Sequence, residues 1–422
     1  MASSCRSIEE VVERQLCTGC GVCSFLESER YRMGDALEFG RRPFLRDNAP
    51  ASTGAALSAC PGATLAHPSE PRPEPGLIES LLSAWGPVYG VWEGYAADGE
   101  IRFAGSSGGA ATALALYCLE QERMGGVIHS AAREDKPYLN HTVCSTSREQ
   151  LLARTGSRYA PASPGEGLGR IEQADTPHVF IGKPCDVAGA QQARKQRPNL
   201  DRNLGLTIAF FCAGVPSVKG NLELLRREGI TDPETLTGLR YRGNGWPGLW
   251  TATSTTAAGE QQVRQLTYAE SWDFLQRYRQ WRCYICPDHT GEFADVAVGD
   301  PWYRQVQPGE PGKSLIVARS KRGLEAIKKA QAAGYLVLET YDPSLLPRSQ
   351  PNLLMTRGGL WARLIVLRLL GAAVPSYRGF RTFRFWWRNL SLRAKLQSVA
   401  GTAKRVFVKR LNRRALVREW EA

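Results

Sequence analysis

The sequence lacks an uninterrupted apolar run long enough to cross a membrane. The nearest candidate, residues 359–374, is broken by Arg363 and Arg368, whereas a spanning helix needs about 20 mostly apolar residues. The opening stretch MASSCRSIEEVVERQ also lacks an apolar segment of signal-peptide length. Both absences lead us to expect a cytoplasmic protein, in which cysteines serve metals or redox chemistry rather than disulfides.

Acidic residues are scarce at the C-terminal end, where basic residues are abundant. Residues 378–422 contain 13 Lys or Arg against Glu419 and Glu421, whereas the rest of the chain has 41 basic and 39 acidic residues. The net charge of +13 therefore belongs almost entirely to a tail on a near-neutral body. A chain of 422 residues can form two or three domains with a full-sized hydrophobic core. Its 11 cysteines are therefore not needed as disulfides that stabilise the fold.

The tail has the spacing of an amphipathic helix. Apolar residues recur in it at steps of three and four, and arginines flank them. They are Phe383, Trp387, Leu390, Ala394, Val399, Ala403, Val406 and Phe407. Each basic residue near an anionic bilayer contributes ~1 kcal/mol, so we expect peripheral binding to the inner face of a membrane. Packing against the body and binding of nucleic acid or an acidic redox partner are the alternatives.

Three cysteines at intervals of three give the most specific chemical pattern. Cys17, Cys20 and Cys23 lie in CTGCGVC, and Cys60 follows in a distant Cys-Pro-Gly. This is the ligand pattern of bacterial 4Fe-4S sites, and the glycines between the ligands suit a loop wrapped closely around a cluster. Zinc sites favour two separated CxxC pairs. We predict one 4Fe-4S cluster here, with burial of the four as small apolar residues as the alternative.

The pattern after a proline-rich linker at residues 67–76 is that of an α/β body. We predict strands within residues 88–96, 125–132, 204–214, 294–302 and 313–320, a strand, turn and helix within 178–195, and helices after Ser106 and within 322–334. The predicted fold class is α/β, with a small ferredoxin-like iron-sulfur segment, an α/β catalytic body and a basic helical tail. The predicted segments are 1–75 for the cluster, 76–168 and 169–345 for the two parts of the body, and 346–422 for the tail.

Four further cysteines occupy positions that sheet topology can bring together. Cys185 follows a predicted strand in GKPC, Cys212 closes the strand ending FFCAG, and Cys283 and Cys286 form RCYICPD. Ligands gather outside the carboxyl ends of strands in open α/β sheets, where we predict Cys185 and Cys212. A CxxC loop nearby would complete four ligands. Core burial of the first two, a thiol redox pair and a zinc site are the alternatives.

The order of these motifs resembles that of the beta subunit family of coenzyme F420 hydrogenases and dehydrogenases, which includes hydroxymethyl-chlorophyll reductase and ferredoxin-dependent divinyl reductases. The motifs are CTGCGVC with CPG, SSGGAATALALYCLE, GKPCDVAGAQ, YRGNGWPG, RCYICPD and ADVAVGDPW, roughly within residues 14–345. The resemblance implies noncovalently bound FAD, one ferredoxin-like 4Fe-4S cluster and a second 4Fe-4S cluster beside the flavin. It implies, by position, that the ligands of the second cluster are Cys185, Cys212, Cys283 and Cys286.

A turn before an alanine-rich helix has the composition of a diphosphate site. Ser106, Ser107, Gly108 and Gly109 offer two hydroxyls, close backbone approach and the amides of a helix start. Capping of the helix by Ser107 is the alternative, but the segment resembles the one that holds FAD in relatives. The other predicted flavin-binding residues are Gly156, Ser157, Arg158, Tyr159 and Lys183. Arg158 and Lys183 offer positive charge to phosphate, or else form a solvated surface pair.

Clusters pass single electrons, whereas a hydride-type substrate needs two, so a flavin must stand between them. We predict an FAD- and 4Fe-4S-dependent oxidoreductase that passes electrons between ferredoxin or reduced coenzyme F420 and an organic substrate. His289 and Asp300 are the predicted proton donors, and a loop histidine and a turn aspartate are their structural alternatives. A chlorophyll-type reductase and an enzyme acting on a glycan or lipid-linked sugar remain open. The alternative from another class is a non-catalytic zinc-binding protein with a nucleic-acid-binding tail.

Overall fold

The structure, a computed structural model, describes residues 5–67, 72–307 and 309–420. Residues 68–71 of the predicted linker lie outside this range. The strands are β1 (Tyr31–Ala36), β2 (Gly40–Leu45), β3 (Thr64–Ala66), β4 (Gly90–Ala96), β5 (Val127–Ala132), β6 (Asn140–Ser145), β7 (His178–Gly182), β8 (Leu204–Phe210), β9 (Leu236–Arg240), β10 (Leu249–Thr255), β11 (Gln261–Thr267), β12 (Val296–Gly299), β13 (Ser314–Ala318), β14 (Leu336–Thr340) and β15 (Ser376–Arg378).

The α-helices connect and cover these strands. They are α1 (Ile8–Glu13), α2 (Val22–Leu26), α3 (Ala55–Ser58), α4 (Glu79–Trp85), α5 (Gly99–Ala104), α6 (Ala110–Glu120), α7 (Arg148–Leu152), α8 (Leu168–Glu172), α9 (Pro184–Ala193), α10 (Pro198–Asn203), α11 (Val218–Arg227), α12 (Tyr268–Leu275), α13 (Lys321–Ala332), α14 (Leu346–Ser349), α15 (Pro351–Gly358), α16 (Leu360–Leu369), α17 (Thr382–Asn389) and α18 (Leu392–Val408). Among the described residues, no helix has both the length and the apolar composition that a membrane crossing requires.

An eight-stranded mixed sheet forms the centre of the body, in the order β14-β4-β13-β12-β8-β7-β5-β6. Neighbouring strands β5, β7, β8 and β12 run parallel, and the outer pairings are antiparallel. Because β13 is antiparallel to both β4 and β12, β4 points in the same direction as the central four. The loops that follow these five strands therefore emerge at one edge of the sheet, where open α/β sheets place their ligands.

Apolar cores lie on both faces of this sheet. Every residue of β7 is buried, and its Phe180 packs in one core whereas Val179 and Ile181 pack in the other. A nearly continuous apolar run is typical of a strand that is covered on both faces. The strands predicted within 88–96, 125–132, 178–182, 204–214, 294–302 and 313–320 are present, as are the three helices. The α/β fold class is confirmed, while the segment boundaries stay predictions.

The N-terminal segment packs directly on the body. Its short helix α2 contacts α9, and Cys20 and Val22 share an apolar core with Val187 and Ala190 of α9. A hairpin of β1 and β2 lies beside the cysteine loop, with Tyr31 paired to Leu45 at its open end. The cysteine loop is therefore anchored to the same helix that follows strand β7.

The tail forms two helices and returns to the N-terminal segment. Helix α17 ends before Leu390, whose backbone is extended at φ −98° and ψ 137°, and Ser391 caps α18 by accepting the N–H of Ala394. After α18 the chain runs back to the first helix and hairpin, since Ala415 N–H donates to the Glu13 carbonyl at 2.7 Å and Trp420 N–H to the Asp35 carbonyl at 2.8 Å.

The tail helices differ from the single apolar stripe expected from the sequence. Two residues of the predicted stripe, Leu390 and Val406, are buried. Four others are exposed, namely Phe383, Trp387, Val399 and Phe407. The reason is that α18 packs on α16 through a neighbouring face. Val406 also shares an apolar core with Trp281 and Ile285 of the body, so packing against the body is part of the role of the tail.

Candidate redox site

The first cysteine set lines one pocket. Cys17, Cys20, Cys23 and Cys60 surround it, together with apolar residues of α1 and β1. Gly19 in the loop has φ +73°, and a Cβ there would lie 2.8 Å from the Arg41 carbonyl oxygen. Only glycine fits this left-handed position against β2. The predicted loop of thiols is therefore formed, and its shape depends on glycine.

The second cysteine set lines a second pocket. Cys185 is in the first turn of α9, Cys212 follows β8, and Cys283 and Cys286 lie in or beside the 3-10 turn Trp281–Ile285. The Val215 N–H donates to Cys283 Sγ at 3.4 Å. Sheet topology thus gathers residues that are 101 positions apart at the extremes. Among the described residues, no group of three or more His, Cys, Asp or Glu side chains is arranged around a single metal ion.

Burial keeps six of the eight thiols protonated in the absence of a cation. It raises the pKa of Cys20 to about 12, and the charge of Asp186 adds to the shift. Burial also raises the pKa of Cys212 and of Cys286 to about 12. Further thiols with a pKa raised by burial are Cys23, Cys60 and Cys185. Because a thiol ligates as the thiolate, metal binding in either pocket must release protons.

The two cysteine pockets are neighbours. Thr18 lines both of them. Helix α9 lies between them, because it carries Cys185 in its first turn and a Cβ added at Gly189 would lie 3.5 Å from Cys20 Sγ. One residue and one helix therefore separate the two sets of thiols.

Two buried arginines lie beside the cysteines without a carboxylate hydrogen-bond partner among the described residues. Arg42 is 1% exposed, and its Nη atoms donate to the Arg41 carbonyl at 2.7 Å and to Gln280 Oε1 at 2.9 Å. Arg282 is 2% exposed and donates to the carbonyls of Ile285 and Pro61. The Nε atoms of both have no partner in the described part of the chain.

Ionised cysteines are among the charges that oppose the effect of burial on the pKa of both arginines. Burial lowers the pKa of Arg42, whereas the charges of Cys17 and Cys283, one from each pocket, oppose that shift. The groups that raise the pKa of Arg282 against burial are Tyr377, Cys286, Cys185 and Cys283. Buried charges are normally paired, so both guanidinium groups fit anionic metal-thiolate clusters in the two pockets.

A large cavity opens next to the second cysteine pocket. It encloses about 1720 Å³ of space, counting the part that is open to solvent. Cys212, Gly214 and Val215 line both it and the second pocket. The cavity brings together most of the predicted flavin-binding and catalytic residues, namely Ser106, Ser107, Gly109, Gly156, Ser157, Arg158, Tyr159, Lys183 and Asp300.

Gly108 and Ser107 contact residues of the neighbouring strands β4 and β13. A Cβ at Gly108 would lie 2.7 Å from the Gly94 carbonyl, and the Gly108 N–H donates to Ser314 Oγ at 2.9 Å. The Ser107 hydroxyl also lies 2.9 Å from Ser314 Oγ. Gly108 therefore packs against β4 and β13, and it is not among the residues that line the cavity.

The N-terminus of α6 faces the cavity without a side-chain cap. Its N-cap is Gly109 at φ +71°, and no side chain accepts a hydrogen bond from the first turn. Ala110, Ala111 and Thr112 of that turn line the cavity. Ser107 therefore does not cap the helix, and the first amides of α6 are placed to bind an anion.

The two predicted cations of the cavity differ in their freedom. Lys183 Nζ lies 2.6 Å from Asp186 Oδ2 and donates to the Ala162 carbonyl at 3.2 Å. Burial lowers the pKa of Lys183, but the Asp186 charge outweighs it and raises the pKa overall. Arg158 donates to Asn140 Oδ1 and to the Leu239 carbonyl, as well as to two further carbonyls. Arg158 is thus held by the protein rather than solvated at the surface, and its contact with a phosphate stays a prediction.

Sequence reasoning missed another part of the cavity lining. Arg242 makes a two-pronged contact with Asp300, 2.8 Å for each oxygen, and Trp246 Nε1 donates to Asp300 at 3.1 Å. The rings of Tyr268 and Trp302 stack in parallel with centroids 5.7 Å apart. Arg242 and Trp246 belong to YRGNGWPG, so the motif was visible in the sequence but its role was not.

The predicted proton donors lie in different places. Asp300 lines the large cavity, where its two oxygens are engaged by Arg242. His289 lines the second cysteine pocket, with Nδ1 2.8 Å from the Cys212 carbonyl and Nε2 unpartnered among the described residues. Burial lowers the pKa of His289 to about 4, so its ring is neutral at pH 7. His129 is a further buried histidine, and it lines the large cavity.

Two family models match the chain, and both describe the "Coenzyme F420 hydrogenase/dehydrogenase, beta subunit". The model of the N-terminal part of that family matches residues 91–168. The model of its C-terminal part matches residues 177–344. Together they cover more than half of the sequence, including the start of α6 and all four cysteines of the second pocket. The first pocket and the tail lie outside both matches.

Individual relatives agree with this result. The coenzyme F420 hydrogenase subunit beta of Methanococcus voltae is 25% identical over 253 residues, which are 58% of this chain and 82% of that protein. The F420-dependent formate dehydrogenase 1 subunit beta of Methanococcus maripaludis is 24% identical over 250 residues, 59% of this chain and 61% of the relative. A solved chain of the F420-reducing NiFe hydrogenase complex from Methanosarcina barkeri has a similar fold, with a TM-score of 0.50 at 21% identity over 65% of this chain and 91% of that one.

Proposed function

We propose that this chain, which belongs to the coenzyme F420 hydrogenase/dehydrogenase beta subunit family, passes electrons through two 4Fe-4S clusters and FAD between a donor and an organic substrate. Membership of the family supports an oxidoreductase with a role in electron transfer. The number of clusters, the identity of the flavin, the substrate and a cytoplasmic location are parts of the proposal. The family match disfavours the alternative of a non-catalytic zinc-binding protein.

One observation carries the proposal: three cavities follow one another through the protein. The first and second share Thr18, and the second and third share Cys212, Gly214 and Val215. Groups held in such neighbouring cavities would be separated by about one layer of residues. That order suits electron transfer from the first cysteine pocket to the second and then into the large cavity.

The residues of the first two cavities fit iron-sulfur clusters. Each pocket offers four thiols as ligands, which is the donor set of a 4Fe-4S cluster. Arg42 and Arg282 supply positive charge that has no carboxylate hydrogen-bond partner among the described residues. Cys185 lies in the first turn of α9, where the helix dipole stabilises a thiolate. These contacts would stabilise the negative charge of a bound cluster.

The large cavity fits a flavin dinucleotide. The uncapped amides at the start of α6 would bind its diphosphate, and the Ser106 hydroxyl, which accepts the Ser157 N–H at 2.6 Å, ties the two predicted binding segments together. Lys183 lies at the end of β7, beside the second cysteine pocket. Clusters exchange single electrons and a flavin exchanges one or two, which lets the two kinds of cofactor work together.

The part of the cavity lining that contains Arg242, Tyr268 and Trp302 would contact the substrate or the electron partner. Asp300 holds the guanidinium of Arg242 in place, and that guanidinium lies 4.6 Å from the ring centre of Tyr268. A fixed cation beside stacked aromatic rings suits a flat or anionic molecule. Asp300 in this arrangement positions Arg242, and its role as a proton donor stays a prediction.

Reduced coenzyme F420 is the first electron partner to test, because the relatives named above are F420-dependent or F420-reducing proteins. Ferredoxin is the second. The organic substrate belongs to one of two classes in this proposal: a chlorophyll-type ring, or a glycan or lipid-linked sugar. Anaerobic mixing of the protein with reduced F420, or with reduced ferredoxin, would show which donor bleaches the cluster and flavin absorbance.

Anaerobic purification of the full chain tests the proposal directly. We expect a brown protein with about eight irons per chain, two 4Fe-4S clusters, which releases FAD on denaturation and loses visible absorbance with dithionite. The matched control is the variant Cys118→Ser, because Cys118 is buried outside the three cavities; its iron content should not change. A colourless protein with stoichiometric zinc would overturn the proposal.

A further inference from the structure

Helix α18 exposes its apolar face and buries its small polar face. Ser398, Thr402 and Val406 point inward and are 5%, 0% and 0% exposed, and α18 packs on α16. On the other side, Leu392 is 73% exposed and Leu396 62%. The apolar residues of that side recur at steps of three, four and eight, which places them on one face of a helix. This distribution is the reverse of the one expected for a helix that only packs on a core.

The exposed face of α18 continues onto α17. Phe383 and Trp387 are 50% and 61% exposed, and their rings lie 6.3 Å apart. Lys395 in the first turn of α18 joins the helices, because its Nζ donates to the Trp387 carbonyl at 2.8 Å and lies 5.0 Å from the Trp387 ring centre. We call the combined surface the tail patch, which consists of Phe383, Trp387, Leu392, Leu396, Val399 and Phe407.

Every charged residue within α17 and α18 is basic. Residues 382–408 contain six Lys or Arg and no Asp or Glu. Four of the basic side chains, those of Arg384, Arg388, Arg393 and Lys404, are exposed, and none forms an ion pair in the described part of the chain. An apolar stripe with cations alongside it matches a helix that lies in the plane of a membrane interface.

We propose that the tail patch binds the surface of an anionic lipid bilayer. An anionic bilayer can bind both kinds of side chain in the tail patch and beside it. Its acyl region accepts the apolar residues, and its headgroups accept the Lys and Arg side chains. Trp387 lies where amphipathic rings prefer to be, at the boundary between the two. This proposal rests on the surface of α17 and α18 alone and is independent of the proposed redox function.

Sedimentation of the full-length holoenzyme with lipid vesicles tests the proposal. We expect binding to vesicles that contain phosphatidylglycerol at low salt and little binding to phosphatidylcholine vesicles. The double variant Leu396→Ser/Phe407→Ser should weaken binding by about tenfold or more, since two large apolar side chains no longer leave water. The double variant Arg393→Gln/Lys404→Gln should weaken it by about thirtyfold at low salt and have a smaller effect at high salt.

The matched control is Val263→Ser/Lys328→Gln, which changes one exposed apolar and one exposed basic residue on other parts of the surface. It should bind vesicles like the unchanged protein. All variants alter exposed residues, so equal iron content and melting temperature would confirm that they fold. Failure of the unchanged protein to bind anionic vesicles, or equal loss in the control, overturns the proposal. A change of oligomeric state in Leu396→Ser/Phe407→Ser, with vesicle binding intact, would assign the patch to a second copy of the chain and also overturn it.

Discussion

The two cysteine pockets hold the same four-thiol set but are built in different ways. Three of the four thiols in the first pocket come from a single loop of seven residues, and the fourth follows at Cys60. The second pocket needs the ends of two parallel strands and a separate loop, which span residues 185–286. The ligands of the first pocket can be recognised from their spacing in the sequence. Those of the second pocket come together only through the order of strands in the sheet.

The difference also extends to what surrounds each pocket. The first lies against the N-terminal helices and is separate from the large cavity, whereas the second shares Cys212, Gly214 and Val215 with that cavity. Loss of the second pocket should therefore disturb the cavity, and loss of the first should not.

Replacing one thiol in each pocket should give the largest contrast. Cys60→Ser should lose about four of about eight irons, keep its flavin and remain reducible by dithionite, but no longer accept electrons from the physiological donor. Cys283→Ser should lose a similar amount of iron and also flavin, because its pocket shares a wall with the cavity. Iron and FAD assays per chain measure both effects. Equal flavin retention in the two variants would contradict the contrast.

Gly19→Ala should selectively damage the first pocket. Its φ of +73° and the 2.8 Å approach to the Arg41 carbonyl leave no room for a Cβ, and the left-handed backbone alone costs roughly 1–2 kcal/mol. Iron content should fall with flavin unchanged. Gly54→Ala is the matched control, since Gly54 has φ +84° with no atom near an added Cβ. Similar iron loss in both variants would mean that backbone strain, not the contact, is responsible.

Arg42→Gln should lower the reduction potential of at least one cluster, because a buried positive charge stabilises the more negative, reduced state. Arg42→Lys should retain part of the effect. Redox titration followed by electron paramagnetic resonance measures the potentials. Arg41→Gln serves as the control, since Arg41 is already paired with Asp35 and Glu166. Equal potentials in the Arg42→Gln variant and the unchanged protein would show that Arg42 has only a structural role.

Acid should weaken the region of the large cavity through His129. Burial, helped by the charge of Arg154, lowers the pKa of His129 to about 4, against about 6.5 in the unfolded chain. The neutral His129 ring therefore contributes fully to the free energy of unfolding above pH 6.5. This contribution is lost as the pH falls towards 4, by up to about 1.4 kcal/mol per pH unit. The melting temperature of His129→Gln should fall less than that of the unchanged protein between pH 7 and 5. Parallel curves would contradict this assignment.

Much of the body could be predicted because its sequence is locally consistent. The strands β7 and β8 are apolar almost throughout, and α13 is an amphipathic helix that ends near Gly334, whose φ is +77°. The placement of Cys185 and Cys212 at one sheet edge followed from the rule for parallel strands. Strand order itself was not visible, since pairing partners such as β4 and β13 lie more than 200 residues apart.

Sequence reasoning is weakest where one side chain can contact several neighbours. Arg158 donates to the carbonyls of Leu239, Pro137 and Leu139, contacts that the sequence did not indicate, and its role as a phosphate ligand stays a prediction. The break between α17 and α18 had a local signal in Ser391, a good N-cap residue, but the apolar spacing continued across it. Which side of α18 faces α16 depended on the position of a partner helix, and spacing alone carries no information about that.

The return of the tail to the N-terminal segment has a consequence for biosynthesis. Val406 and Leu411 pack in the same apolar core as Leu16 and Cys17, and Ala415 hydrogen-bonds to Glu13. A ribosome makes the cysteine loop long before residues 406–415, which pack beside it. The apolar core behind Cys17 therefore stays incomplete until those residues have left the ribosome.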